Sequence, residues 1–312
     1  MGILSTIRRF AEERLLGARD TLIAPLRQAG LEPGLKLPPP RELMVRLTAR
    51  RELARDTLWL SFEPVEAPLF SWLAGQHVSI FFDPPGGEAA ADSVPGALMA
   101  SRRETRIYSI WNSPEDAAGT PASALEIVVK LMVVGRASDT FRELPTGAML
   151  SMVGPQGTFV LRSRLPEQLV FVATGTGIAP VRPMLVELGL RGASSRATLI
   201  WGVRSEADLF DLPDIPEDVR VIRTLSRPDD GWGGRRGRVT THLDGLGLHR
   251  EGAQVYACGN GQMILDVFAA LAPAGLRRET GHVVYEKFFD AGFGGITGAA
   301  LLPRGPLPPP PK

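Results

Sequence analysis

The sequence predicts two domains in series, an antiparallel β sandwich or barrel and then a parallel-sheet α/β domain, behind an N-terminal helical extension. Three observations predict this. The 312 residues amount to about two domains at roughly 150 residues each. Apolar residues alternate with a period near two from residue 41 to about 161, and beyond residue 168 buried apolar runs alternate with helical stretches. Two of those later runs end in glycine-rich turns, at 174–177 and 258–261.

In residues 1–40, Ile3, Leu4, Ile7, Phe10, Leu15 and Leu16 recur at near-helical spacing with Arg8, Arg9, Glu12, Glu13 and Arg14 between them. This pattern gives one amphipathic helix or two. It suits a helix packed on the domain behind it, or one that binds a partner or a membrane surface. Pro38-Pro39-Pro40 ends it.

Residues 41–165 form the β domain. Leu43, Val45 and Leu47 alternate with polar residues, as do Leu58, Leu60 and Phe62, and then Val78, Ile80 and Phe82. Runs at 106–111 and 126–131 complete the strand set, while the charge-free stretch 144–161 carries prolines and glycines that suit turns and short strands. The Pro/Gly/Ala-rich segment 83–103 is expected to be mobile or a lid.

Residues 166–290 form the α/β domain. Strands are expected at 169–173, 197–201, 219–222, 255–258 and 282–285, with helices at about 179–190 and 262–271. Such alternation places helices on both faces of a parallel sheet. The Gly/Pro-rich tail 291–312 is expected to be extended or disordered.

Composition excludes several chemistries. A formal net charge of +1 gives no basic excess for nucleic acid. One cysteine, Cys258, makes neither an intramolecular disulfide nor a four-thiolate zinc or iron–sulfur site. His77, His242, His249 and His282 lack metal-ligand spacing, so no metal site is expected. No segment reads as a membrane span, and the N-terminus shows no apolar run of signal-peptide length before its charges. Met1-Gly2 with Thr6 loosely fits a myristoylation pattern and Arg8-Arg9 a twin-arginine one. A cytoplasmic protein is the expectation, with membrane association only through the N-terminal helix.

Four motifs carry chemistry. Thr174-Gly175-Thr176-Gly177 follows a buried strand and opens a helix whose first turn tolerates Pro180. Glycines there let the backbone approach a phosphate, and the helix start supplies N–H groups and partial positive charge. Proline stands where the dinucleotide fingerprint has its third glycine, and an ordinary tight turn fits as well. Cys258-Gly259-Asn260-Gly261 sits at a second strand end. Two such ends in one parallel sheet can flank one crevice, although a lone cysteine also fits inert packing. Arg106-Ile107-Tyr108-Ser109 puts Arg106 and Tyr108 on one strand face and Ser109 on the other. Arginine holds phosphate, tyrosine stacks on a flat ring and a hydroxyl bonds a ring nitrogen. Gly135-Arg136-Ala137-Ser138 runs from a strand into a helix with Ser138 as a plausible N-cap. It is a second phosphate cradle or a simple helix start.

In this order, with Gly154-Pro155-Gln156-Gly157-Thr158-Phe159 and Glu286-Lys287-Phe288-Phe289, these motifs resemble the ferredoxin–NADP(+) reductase superfamily across about residues 41–290. The resemblance implies a six-stranded Greek-key barrel that holds FAD, followed by a Rossmann-like NAD(P) domain. It implies that Tyr108 stacks on the isoalloxazine, that Arg106 binds flavin phosphate and that Ser109 lies near flavin N5. Gly135, Ala137 and Ser138 would meet the FAD pyrophosphate. Thr174, Gly175, Thr176 and Gly177 would cradle the NAD(P) pyrophosphate. Cys258, Gly259 and Glu286 would lie at the nicotinamide, and Ser109, Cys258 and Glu286 would carry catalysis. Relatives commonly end near the aromatic that Phe288 or Phe289 matches and that caps the flavin; this chain runs on to Lys312. Many oxygenase reductases of the superfamily also carry a plant-type iron–sulfur centre. A chain with one cysteine does not, so the implied one-electron acceptor is a separate redox protein such as ferredoxin or flavodoxin.

The nucleotide choice turns on Ser226-Arg227 with Arg235, Arg236 and Arg238. In NADP-using relatives a Ser-Arg pair and a later basic residue grip the 2′-phosphate, and arginine supplies a matching fork. NADPH is therefore expected, with Ser226, Arg227 and Arg236 as its contacts. The run Trp232-Gly233-Gly234 also resembles NADH-using oxygenase reductases. The competing functions are a reductase component of an oxygenase, a free-flavin or quinone reductase, and a flavin-holding assembly subunit that docks through its termini.

Overall fold

Alternating apolar residues make half-buried strands, and in the computed structural model, which describes residues 35–82, 104–116 and 118–289, they close a six-stranded antiparallel barrel. The expectations for the N-terminal extension before residue 35, for the segment 83–103 and for the tail lie outside the described residues. Strands β1 (Arg41–Ala54), β2 (Thr57–Pro64), β3 (His77–Phe82), β4 (Glu104–Ser109), β5 (Leu125–Lys130) and β6 (Met149–Gln156) pair in the order β4-β3-β6-β1-β2-β5. An antiparallel bridge between Ile110 and Ile127 joins the two edges. Val45, Leu47, Leu60, Phe62, Ile80 and Ile127 point inward and are fully buried. Helix α1 (Arg136–Glu143) drives Phe141 into this core, edge-on to Phe82 at 5.3 Å and to Tyr108 at 5.4 Å.

Two strands exceed what the sequence pattern predicts. β1 continues well past its alternating half, because its second half pairs with β2 on the partly exposed side of the barrel. β6 forms in the Pro/Gly-containing stretch expected to be turns and short strands. It lies between β3 and β1, so ladder hydrogen bonds from both neighbours override weak local propensity.

The second domain is a parallel sheet ordered β10-β9-β8-β7-β11-β12. Its strands are β7 (Gln168–Thr174), β8 (Ala197–Val203), β9 (Arg220–Leu225), β10 (Arg235–Arg236), β11 (Ala253–Asn260) and β12 (Val283–Phe289). Helix α2 (Ile178–Leu190) links β7 to β8, and α3 (Gly261–Leu271) links β11 to β12. Along β7, Phe171 and Ala173 face one core, while Val170 and Val172 face another. The first core takes in α2 and also Trp111, Val128 and Phe159 of the barrel, so the sheet packs directly on the first domain. The second contains Met263, Ile264 and Val267 of α3.

Polar groups tie this seam. Arg182 of α2 is buried, donates to the Trp111 carbonyl at 3.0 Å and the Pro213 carbonyl at 2.9 Å, pairs with Asp214 and lies over the Trp111 ring. Asp208 meets Arg55 at 3.0 Å and Lys130 at 3.4 Å, both from the barrel. Among the described residues no helix is long and apolar enough to cross a membrane, and no cluster of residues suits a metal.

Candidate functional site

The chain runs from β7 outward to β10 and then returns to the other side of β7 as β11. The C-terminal ends of β7 and β11 therefore flank the point where strand order reverses, the place where open α/β sheets bind ligands. Both glycine motifs end there and interlock. A Cβ on Gly177 would stand 2.3 Å from the Cys258 carbonyl oxygen, and one on Gly259 would stand 2.1 Å from Thr174 Oγ1. Glycine at these two positions is what lets the turns touch. Trp201 Nε1, fully buried on β8, donates to the Gly175 carbonyl at 3.0 Å and fixes the first turn from below.

Strand pairing then sets the side chains. Cys258 pairs with Ala173 on one side and Glu286 on the other. Glu286 reaches across to the barrel, where it accepts from Ser109 Oγ at 3.1 Å. His77 pairs with Ser109 across β3 and β4, and its Nδ1 lies 3.5 Å from Glu286 Oε2. The arrangement joins Ser109, Glu286, Cys258 and His77 from four strands and both domains. Burial pushes the Cys258 thiol well up, and the Glu286 charge pushes it further, so the sulfur stays protonated.

The residues fit dinucleotides. Gly175 (φ 55°) and Gly135 (φ 138°) adopt backbone conformations that favour glycine, with open space where a Cβ would stand. Thr174 Oγ1, beside Gly259, is buried with no partner among the described residues. These are the features of a backbone cradle that a phosphate and a flat ring complete.

One expectation needs correction. Ser138 is not the N-cap of α1. Gly135 is, without a side-chain cap, and Ser138 Oγ instead accepts from the Met132 N–H at 2.9 Å, which shapes the 132–138 turn. Arg236 donates through Nη2 to the carbonyls of Asp229, Asp230 and Trp232 at 2.9–3.3 Å, so it holds its own loop. Ser226 and Arg227 are exposed at the end of β9. Phe288 is half-buried against the core that contains Trp201 and Ile178, and the Phe289 side chain lies outside the description. Arg106 and Tyr108 share the half-buried face of β4, and Tyr108 is braced by Phe141. Ala137 is buried in α1. Sequence reasoning missed His77 and Trp201. No local motif marks either, because each owes its place to a strand distant in sequence.

Comparison with known proteins agrees with this geometry. Residues 44–161 match the oxidoreductase FAD-binding domain family, and residues 171–268 match the oxidoreductase NAD-binding domain family. The chain is 31% identical over 255 residues to ferredoxin--NADP reductase B of Sorangium cellulosum (strain So ce56), spanning 78% of this chain and 96% of that protein. It is 25% identical over 245 residues to the toluate 1,2-dioxygenase electron transfer component of Pseudomonas putida, spanning 76% of this chain and 65% of that protein. Other oxygenase reductases are likewise matched over little more than half their length, 56% in a Ralstonia sp protein. Among solved structures, an Amycolatopsis cytochrome P450 reductase superposes with a TM-score of 0.64 at 25% identity, covering 82% of this chain and 72% of that one. A Neisseria gonorrhoeae ferredoxin NADP+ reductase with bound FAD and NADP shares the fold, with a TM-score of 0.60 at 20% identity over 80% of this chain and 99% of that one.

Proposed function

The chain belongs to the ferredoxin–NADP(+) reductase superfamily of NAD(P)H-dependent flavin oxidoreductases, and from that premise we propose that it takes electrons from NADPH and delivers them singly to a separate ferredoxin or flavodoxin. The observation that carries the reading is the Ser109–Glu286 hydrogen bond at 3.1 Å, which closes the seam between the flavin and nucleotide domains beside Cys258. FAD, when bound, accepts the two electrons of a hydride and can release them one at a time.

The chain's own residues then position and move protons. Tyr108, backed by Phe141, offers a ring face for stacking. The Ser109 hydroxyl holds its proton toward Glu286 Oε1 and can turn it to a ring nitrogen on the other side. Glu286 accepts from Ser109 and draws His77 near, so a proton released at Ser109 Oγ has an acceptor in place. The neutral Cys258 thiol supplies a small, uncharged wall for a nicotinamide ring. Gly175, Thr176 and Gly177 present backbone N–H groups for a pyrophosphate. Gly135, Ala137 and Ser138 do the same in the barrel.

NADPH is favoured by exposed Arg227 beside Ser226 at the end of β9, where the outer ribose of a nucleotide on the Gly175 turn would reach. One observation favours a second reading, an NADH-dependent reductase component of an oxygenase. Arg236 spends its Nη2 on the carbonyls of its own loop, which leaves fewer of its donors for a 2′-phosphate.

Anaerobic stopped-flow mixing of the FAD-loaded protein with NADPH and NADH separates the two. Faster bleaching by NADPH, followed by ferredoxin reduction that slows with added salt, is the expected result. No bleaching with either nucleotide overturns the enzyme reading. Fast turnover with free flavin and none with ferredoxin or flavodoxin replaces the protein acceptor.

A further inference from the structure

The redox site uses the C-terminal ends of β7, β11 and β12. The opposite ends of these strands border a second cleft of about 680 Å³, within the size range of small-molecule sites. Gln254 at this cleft stands roughly 13 Å along β11 from Cys258 at the usual strand rise.

One cation here is held in place and two more are exposed beside it. Arg162 lies over Gly281, whose missing side chain makes the room: a Cβ there would stand 2.5 Å from Nη2. Nη2 donates to the Gly281 carbonyl at 2.6 Å, while Nε is buried and has no partner among the described residues. Arg191 holds the Arg162 carbonyl at 3.0 Å, fixing the stem. Exposed Arg250 packs along Gly275, with Cδ 3.6 Å from the position of a Cβ there, and exposed Arg164 is a third arginine of the lining. His282 sits among them. Its pKa is lowered by burial and then by the charges of Arg250 and Arg162, as it would be at a positive potential. Two carboxylates, Glu167 and Glu251, share the lining.

Guanidinium forks match the oxygens of a multiply charged oxyanion, and carboxylates accept from hydroxyl groups. We propose that this cleft binds a phosphate monoester on a hydroxylated body, a sugar-phosphate class of ligand, separately from the dinucleotide crevice.

The test is proton NMR of the His282 imidazole in FAD-loaded protein saturated with NADP+, which keeps the crevice filled. Ribose 5-phosphate, inorganic phosphate, ribose and chloride are the probes. A saturable shift with ribose 5-phosphate, a weaker one with inorganic phosphate and none with ribose is expected. Arg250→Gln and Arg164→Gln should each raise the ribose 5-phosphate Kd roughly fivefold, with nucleotide-driven dye reduction unchanged. Glu167→Gln should weaken ribose 5-phosphate without weakening inorganic phosphate. A shift that does not saturate, that chloride reproduces, or that survives both arginine changes overturns the site. An unchanged ribose 5-phosphate Kd in Glu167→Gln overturns the assignment of the hydroxylated body.

Discussion

Gly259→Ala tests whether the two glycine turns form one site. The new Cβ would stand 2.1 Å from Thr174 Oγ1 and 2.8 Å from Met263 Cε, on a backbone with φ of 152°. Alanine in a glycine-favoured conformation costs about 1–3 kcal/mol. Overpacking a buried contact costs a further ~1–3 kcal/mol. Met263 ends in a flexible thioether and can give way, whereas Thr174 is fixed in β7 between β8 and β11. The second contribution therefore belongs mainly to Thr174. Adding Thr174→Ala should restore about 1–3 kcal/mol and leave the backbone cost in place. Thermal unfolding of the FAD-loaded proteins reads this directly. The two costs together, about 2–6 kcal/mol, should lower the melting temperature of the single variant by about 4–24 °C, at roughly 2–4 °C per kcal/mol for a domain of this size class. The double variant should recover part of that loss. Additive effects of the two substitutions, with no recovery, would refute the claim that these turns meet at Thr174 and Gly259.

Glu286→Gln should slow flavin reduction by NADPH about tenfold to a hundredfold while FAD content stays at the parent level; an unchanged stopped-flow rate removes Glu286 from proton handling. Arg227→Ala should raise the NADPH KM about tenfold or more through loss of a charge-assisted phosphate contact and leave the NADH KM unchanged, which steady-state kinetics with both nucleotides will show. Cys258 is buried with its thiol pKa pushed up first by burial and then by Glu286, so iodoacetamide near neutral pH should label it only after unfolding. A raised thiol pKa also means that its contribution to stability is present below the ordinary thiol value of about 8.5 and declines as pH rises above it. For Asp208, burial pushes the carboxyl up, but Ser205, Arg55 and Lys130 outweigh it and hold the pKa below the usual value. Its contribution is present above about pH 4 and lost as pH falls through the lowered pKa. Asp208→Asn should therefore flatten the acid limb of a stability–pH curve measured by urea unfolding, and a parallel limb in the variant counts against the Arg55–Asp208–Lys130 seam.

Much of the fold is written locally. The alternation of Leu58, Leu60 and Phe62, or of Val78, Ile80 and Phe82, needs only the two-residue period of a strand with one buried face. Gly175 and Gly259 announce turns because their backbone conformations favour glycine. Ser109, Cys258 and Glu286 are singled out by the family resemblance and not by local spacing, which fits an ordinary strand and an inert cysteine as well. β6 is weakly encoded locally, as Gly154 and Pro155 lower strand propensity and its ladders to β1 and β3 stabilise it. Ser138 fits a cap by local pattern alone, and a contact six residues away decides otherwise. A serine near a helix start fits the pattern, but the Met132 N–H competes for its oxygen. Arg236 carries a charge suited to phosphate, and the bonds from its Nη2 to its own loop have no signal in the sequence.

The sequence by itself therefore determined the two-domain order, the strand and helix periods, and the glycine positions of the tight turns, because short-range sterics and burial periodicity fix those. Tertiary structure alone decided that Glu286 of the last strand closes on Ser109 of the barrel, that His77 joins them, and that Arg182 and Asp208 hold the domains in contact. Those pairings depend on strand order and on how two separately folded surfaces meet, and no local spacing in the chain encodes either.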